Sequence, residues 1–252
     1  MGNRGFYGFS SGVKNGFNGF GPAIEIKPPS FAPPLCWYMA DSLSLADAAA
    51  VATWTDQSGN GVNATQSNSS YRPKFYNAVK NGLPAIRFDN TDDRFVCPIS
   101  DTGGNYTFMA VLSPTSATAG HYLFDSRQTT GNVNRISCQI SDGSLARHAY
   151  TYGAAPSGLP VGAPVTVGWQ ILTWVFNGTS SQALIYYNLG LSISGPYAPN
   201  PMYSTYAILG SGYNGAVPLY SDLGEFIAWP FAFSQSEVFS VASYLNHKWE
   251  VF

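Results

Sequence analysis

Short apolar runs separated by turn-forming residues dominate this chain from residue 35 onward, and they limit what it can fold into. In one of them Ile136, Cys138 and Ile140 alternate with polar residues, the period of a half-buried strand. Between the runs lie Ser-Gly, Asn-Gly, Asp-Gly and Gly-Gly pairs, which mark turns. The pattern predicts a β-sandwich or barrel. The predicted strands are Thr107–Leu112, Tyr122–Asp125, Arg135–Ser141, Gln170–Asn177, Ala183–Asn188, Tyr206–Leu209 and Gly224–Trp229.

Charge and cysteine content exclude several classes of protein. Charged residues make up only 10% of the chain, the net charge is −2, and the 12 Lys and Arg are scattered, so we expect no nucleic-acid partner. The three cysteines, Cys36, Cys97 and Cys138, lack the spacing of a disulfide framework or a zinc site, and we expect buried free thiols. No stretch of about 18 apolar residues occurs, which predicts no membrane insertion.

One helix is predicted near the end of the chain. Ser234 and Glu237 have the spacing of a capping box, in which each side chain bonds the other residue's backbone N–H. Apolar residues then recur at helical spacing, at Val238, Val241, Ala242, Leu245 and Trp249. This predicts an amphipathic helix whose apolar stripe lies on a sheet.

Residues 1–34 have a different composition, rich in Gly, Phe and Pro and without strand or helix periodicity. Ordering such a segment costs about 1–2 kcal/mol per residue, so we expect it to need a surface to fold on. That surface is either its own domain or a partner subunit. In the second case the anchors are Phe6, Phe9, Phe17 and Phe20.

Four segments together resemble the concanavalin A-like, laminin G-like jelly-roll superfamily, of the stand-alone type found in phage virion proteins. They are 35–41 (LCWYMAD), 54–73 (with WTDQSGNG, ATQ and RP), 81–89 (NGLPAIRFD), and GEFIA at 224–228 with LNHKW at 245–249. The resemblance implies an all-β, two-sheet antiparallel jelly-roll sandwich with one C-terminal amphipathic helix and an extended N-terminal arm. The expected domains are the arm, 1–34, and the jelly roll, 35–252.

The pieces of this pattern have structural interpretations. Asp56 begins a run of turn-forming residues and can accept hydrogen bonds from nearby backbone N–H groups. Trp37 and Trp54 are large enough to fill the gap between two sheets.

Carboxylates offer no catalytic pattern. Hydrolases of this fold need an acid and a nucleophile about 5–5.5 Å apart, and the four Glu of this chain are isolated. Asp222 and Glu225 are three residues apart and are expected on opposite faces of a strand. We therefore predict a protein that is not an enzyme, with no catalytic residues and no cofactor.

Two groups of residues are candidate binding sites. Asp89, Asp92 and Asp93 form the densest acidic loop, which is either a calcium site or a solvated turn. Exposed aromatics with nearby Asn and Ser suit a glycan groove, a subunit contact or plain packing. The candidates for that role are Tyr150, Tyr152, Tyr203, Tyr206 and Tyr213.

The resemblance implies a non-catalytic virion structural or adhesive protein, either a capsid decoration or a tail-associated protein. Residues 1–34 would anchor it to other virion subunits, a homo-oligomer is expected, and the jelly roll would bind host-surface glycans. Such a chain is assembled in the host cytoplasm and works on the virion. The alternative is an extracellular carbohydrate-binding module of a bacterial cell surface or secreted system.

Overall fold

The computed structural model describes residues 33–100, 103–116, 120–126, 136–141, 149–152, 166–198 and 205–252. In chain order, the strands of this part are β1 Cys36–Met39, β2 Thr53–Trp54, β3 Ala64–Thr65, β4 Lys74–Lys80, β5 Leu83–Asp89, β6 Phe95–Cys97, β7 Tyr106–Pro114, β8 His121–Asp125, β9 Ile136–Ser141, β10 Ala149–Tyr152, β11 Gln170–Asn177, β12 Gln182–Tyr187, β13 Gly190–Pro196, β14 Ala207–Leu209 and β15 Tyr220–Trp229. The helices are α1, Gln235–Trp249, and three short 3₁₀ helices, Ala40–Ser42, Ser69–Tyr71 and Tyr213–Gly215.

The strands form two antiparallel sheets, as predicted. Sheet A has eight strands in the order β13-β12-β11-β7-β15-β5-β4, with β1 also paired to β15, and sheet B has seven in the order β10-β9-β8-β14-β6-β3-β2. β15 lies at the centre of sheet A because it pairs with β7 along one side and with β5 and then β1 along the other. Hairpin pairs at the edges of each sheet flank central strands whose neighbours are distant in sequence, the arrangement of a jelly roll.

Aromatic side chains from both sheets fill the space between them. Phe108 and Phe226 of sheet A contact Phe124 of sheet B, with ring centroids 4.7 and 5.7 Å from it. Trp54 is fully buried in the same core, as predicted. Ile136, Cys138 and Ile140 also lie in this core, which confirms the strand β9 and its core face. The strand is not half-buried, because Ser137 and Gln139 on its other face are buried too; Arg135, its predicted start, is outside the described residues.

The prediction that Trp37 fills the gap between the sheets is wrong. Side chains alternate along β1, so Cys36 and Tyr38 point into the core and Trp37 points to the outer face of sheet A. There it packs in a second apolar cluster, between sheet A and α1.

The helix α1 covers part of that outer face. Ser234 caps it, and the Ser234–Glu237 capping box is complete, as predicted. All five residues of the predicted stripe are buried against the sheet. At Gly224 the indole of Trp249 lies so close that a Cβ atom would be 2.4 Å from it, so only glycine leaves room for this ring.

Asp222 and Glu225 lie on the same face of β15, contrary to expectation. The register of β15 against β7 shifts between Leu223 and Glu225, and this bulge adds one residue to the alternation. Asp222 therefore pairs across from Arg87, while Glu225 lies under α1 on the same outer face.

The turn after β2 is held by Asp56, as predicted. Its carboxylate accepts four hydrogen bonds, from the backbone N–H groups of Trp37, Ser58 and Val62 and from the Ser58 hydroxyl.

Cys36, Cys97 and Cys138 are free and buried, also as predicted. None of the helices in the described part of the chain has the length and apolar character needed to span a bilayer.

Candidate functional site

Two cavities meet at Arg72, on one edge of the sandwich. The first, the acidic cavity, has a volume of about 240 Å³ and is lined by Ala50, Ser69, Ser70, Arg72, Lys74, Tyr76, Arg87, Asp89 and Asp93. The second, the threonine groove, is wider at about 470 Å³ and is lined by Ala52, Thr53, Thr65, Gln66, Ser67, Arg72 and Val96. Arg72 belongs to both linings, so a ligand longer than one cavity can contact both along this side chain.

Local hydrogen bonds fix the position of Arg72. Its Nε donates to the carbonyl of Gln66 at 2.8 Å and its Nη2 to the carbonyl of Ser67 at 3.0 Å. Gln66 is held in turn, since its side chain donates to the Arg94 carbonyl and accepts from the Asn68 N–H. The guanidinium is therefore preorganised between the cavities, which lowers the entropic cost of binding a ligand.

The threonine groove is the open end of a row that crosses the outer face of sheet B. Strand register places the members of the row next to one another, in the order Thr53, Thr65, Val96, Ile208, Asp125 and Ser137. Their neighbours Trp54, Ala64, Phe95 and Phe124 point into the core, so the row faces outward. Thr53 and Thr65 are exposed, whereas Asp125 and Ser137 are fully buried, so a ligand has access from the β2–β3 edge.

The acidic cavity lies on the part of sheet A that α1 leaves uncovered. Arg87 forms a bidentate ion pair with Asp222, at 2.6 and 2.9 Å, and its guanidinium lies 4.4 Å from the centre of the Tyr76 ring. The hydrogen bond to Asp222 raises the pKa of Arg87 further above its usual range. Because Asp222 balances Arg87, the remaining positive charge of this cavity comes from Lys74 on β4 and from Arg72.

The acidic loop supplies the negative charge. Asp93 is only 5% exposed, and its Oδ2 accepts the Asp89 N–H at 3.1 Å, while Asp89 Oδ1 accepts the Thr91 N–H at 2.8 Å. Burial, and then the nearby Asp89 carboxylate, raise the pKa of Asp93 to about 7. Carboxylate oxygens of Asp89, Asp92 and Asp93 lie within 4.8 Å of one another. The structure thus brings the three predicted residues together, and calcium binding by them stays a prediction.

These carboxylates are not arranged as in a glycoside hydrolase. A retaining pair flanks the scissile bond with about 5–5.5 Å between its carboxyl groups, and an inverting pair is wider. Asp89 and Asp93 instead lie on one short loop, with oxygens within 4.8 Å of each other, and both accept hydrogen bonds from that loop's own backbone.

Of the predicted tyrosines, the two whose side chains the structure describes, Tyr206 and Tyr213, line neither cavity. Tyr206 and Tyr213 are half-buried, and the Tyr213 N–H donates to Asp125 Oδ2 at 3.2 Å. Tyr150 and Tyr152 are in β10 opposite Cys138 and Ile136, and their side chains are outside the described part. Tyr203 and the anchors Phe6, Phe9, Phe17 and Phe20 also lie outside the described residues.

Sequence reasoning missed most of the cavity lining. The sequence indicates Arg72 and Arg87 only as parts of the family-like segments, and it gives no functional signal at Lys74 or Tyr76. The alternation of Lys74, Phe75 and Tyr76 was the available signal, since it places Lys74 and Tyr76 on the outer face. That these residues meet the Asp89–Asp93 loop depends on tertiary structure.

Comparisons with known proteins are consistent with this architecture. The sequence matches no protein-family model and no curated protein. Among solved structures, domain 4 of an extracellular family 43 arabinanase from Geobacillus stearothermophilus, in complex with arabinotriose, is similar at 17% identity, covering 84% of this chain and 98% of that domain, with a TM-score of 0.59.

Two further similar structures are larger proteins. The binding domain of Paraclostridial Mosquitocidal Protein 1 is 13% identical, covering 79% of this chain and 51% of that one, with a TM-score of 0.57. Trypanosoma rangeli sialidase in complex with the inhibitor DANA is 12% identical, covering 82% of this chain and 32% of the sialidase, with a TM-score of 0.54. At these identities the likeness shows a shared β-sandwich fold.

Proposed function

We propose that this protein is a non-catalytic carbohydrate-binding β-sandwich whose site is the pair of cavities at Arg72. The observation that carries the proposal is the meeting of an acidic cavity and a hydroxyl-lined groove at one fixed guanidinium. Each cavity offers both donors and acceptors, and sugar hydroxyls need both, because each can donate one hydrogen bond and accept others.

Two further observations support a binding role. The arabinanase domain of the same fold was solved with an oligosaccharide, arabinotriose. The carboxylates of the acidic cavity bond to their own loop instead of flanking a space for a substrate bond, which favours binding over hydrolysis.

A glycan array followed by calorimetry tests this proposal. The full chain should bind at least one class of glycan, and Thr65→Lys should weaken that binding about tenfold or more, because the long side chain fills the groove. Thr179→Lys, at an exposed position in the β11–β12 turn, is the matched control and should bind like the wild type. An array without signal, or equal affinity of both variants, would contradict the proposal.

We further propose that the chain works as a virion structural or adhesive protein, anchored to other subunits through residues 1–34. The support is the sequence pattern of the arm, with its paired Gly-Phe units, and the resemblance to stand-alone virion jelly rolls. Repeated copies on a particle would add avidity to weak glycan contacts.

Light scattering of the full chain tests this second proposal. Replacing Phe6, Phe9, Phe17 and Phe20 with Ser should lower the oligomeric mass. The control is Phe231→Ser, which removes an exposed Phe from the described domain. If the arm variant assembles like the wild type, the alternative of an extracellular bacterial carbohydrate-binding module takes precedence.

A further inference from the structure

We propose that the acidic cavity holds the terminal, uncharged sugar residue of a glycan, and that the rest of the glycan continues past Arg72 into the threonine groove. This inference rests on the proposed carbohydrate binding and adds the class and orientation of the ligand. It predicts a protein that binds the terminal sugar residue of a neutral glycan and does not bind glycans that end in an acidic sugar.

The first argument is size. The acidic cavity, at about 240 Å³, is suited to a single sugar ring, whereas the threonine groove has about 470 Å³ and opens along the edge of sheet B. Arg72 stands between them and is tied to the carbonyls of Gln66 and Ser67. A glycan would occupy both if its terminal ring lay in the acidic cavity and the following rings lay in the threonine groove.

The second argument is charge. Asp89 and Asp93 both line the acidic cavity, and a carboxylate on the ligand would lie close to them. Of the three cationic side chains there, Arg87 is already balanced by Asp222, at 2.6 Å. When both Asp carboxylates are ionised, Lys74 and Arg72 only balance them, so the lining has no surplus of positive charge to attract an acidic sugar. A neutral ring avoids this repulsion and still satisfies the acceptors.

The third argument is hydrogen-bond pairing. A neutral sugar presents adjacent hydroxyl groups, and a carboxylate beside an ammonium or guanidinium group binds them well, because one side accepts and the other donates. Asp93 is only 5% exposed, and its Oδ2 accepts the Asp89 N–H, so Oδ1 is the oxygen that would accept from a ring hydroxyl. Ser69 and Ser70 add donors and acceptors at the mouth.

The fourth argument concerns which end of the chain enters. Surface glycans are attached through their reducing end, so only the opposite, non-reducing end can enter a cavity that holds a single ring. The same restriction applies on an array, where glycans are immobilised through the reducing end.

The experiment compares, for the full chain, each neutral array glycan with the same glycan capped at its non-reducing end by N-acetylneuraminic acid. We expect capping to reduce binding about tenfold or more, and Asp93→Asn to weaken binding of the uncapped glycan by a similar factor. Asp47→Asn is the matched control, since Asp47 is exposed beside β4 and lines neither cavity. The Asn side chain still accepts the Asp89 N–H, and thermal melts confirm that both variants are folded.

The possible outcomes distinguish a failure of terminal-sugar binding from a failure of carbohydrate binding itself. If neutral and capped glycans bind equally, the acidic cavity does not hold a terminal neutral sugar, and carbohydrate binding stands. The same holds if Asp93→Asn binds like the wild type while Thr65→Lys does not. If no glycan binds, the proposed function itself fails.

Discussion

The indole Nε1 of Trp37 donates a hydrogen bond of 2.6 Å to Oε1 of Glu225, and so ties β1 to β15 beneath α1. The other oxygen, Oε2, accepts from Lys248 Nζ and from Trp249 Nε1, both at 2.9 Å. Lys248 also donates to Asp41, at 2.9 Å. Glu225 is fully buried, and burial raises its pKa even though Lys248, Trp249 and Trp37 oppose the shift. This network explains the Glu and Lys of the two C-terminal segments as structural residues.

Removing the positive charge of Lys248 from this network should lower the free energy of unfolding. Lys248→Met leaves the Glu225 carboxylate buried without its charge partner, and we expect a loss of about 3–5 kcal/mol in the free energy of unfolding. Urea denaturation measures the loss. Lys80→Met, on β4 outside the network, is the control and should change stability little. A loss below about 1 kcal/mol for Lys248→Met would show that the network contributes little.

Asp56 should make the free energy of unfolding decrease at low pH. Burial raises its pKa, but the hydrogen bonds from Ser58, Trp37 and Val62 outweigh burial, so the net pKa lies below the usual Asp range. Such a group stabilises the protein above the unfolded pKa, and the contribution disappears as the pH falls through the folded pKa. We expect Asp56→Asn to cost about 1–3 kcal/mol at neutral pH, with the difference from wild type shrinking below about pH 4. A difference that is unchanged by acid would contradict the account.

Gly224 tests the contact between β15 and α1. Gly224→Ala places a Cβ atom 2.4 Å from the Trp249 ring, and we expect a loss of about 1–3 kcal/mol in urea denaturation. Gly190→Ala is the matched control, because its nearest contact, at 3.5 Å, is an ordinary one. Equal stability of the two variants would mean that Trp249 does not pack on Gly224.

The acidic loop should respond to both protons and calcium. The pKa of Asp93 is raised to about 7, so its contribution to stability is present at low pH and is lost as the pH rises through that value. Calcium bound by Asp89, Asp92 and Asp93 would remove the repulsion among them. We therefore expect calcium to raise the melting temperature more at about pH 8 than at about pH 6, where protons compete for the site.

The controls for this prediction use the same loop. Asp93→Asn should abolish the calcium-dependent rise, and a chelator should reverse it in the wild type. If calcium leaves the melting temperature unchanged at both pH values, the loop is a solvated turn, the other interpretation of its sequence.

The sequence pattern was sufficient for elements whose side chains alternate or recur regularly. The period of two at Ile136, Cys138 and Ile140 and the helical spacing from Val238 to Trp249 both follow from the need to bury one face. Alternation also corrects the placement of Trp37, since Cys36 and Tyr38 on either side of it take the core face.

Features that depend on irregular backbone or on distant segments were not predictable in this way. The bulge at Gly224, which brings Asp222 and Glu225 to one face, is visible only in the register of β15 against β7. The acidic cavity joins residues from Ala50 to Asp93 on several strands and loops, so no local pattern indicates it.

The most direct test of the carbohydrate-binding claim is a crystal structure of the full chain with the glycan that binds most tightly on the array. Our account predicts a sugar ring in the acidic cavity, in contact with Asp93, and further rings along Thr53 and Thr65 beyond Arg72. A glycan bound elsewhere, for example against Tyr206 and Tyr213, with both cavities empty, would contradict it.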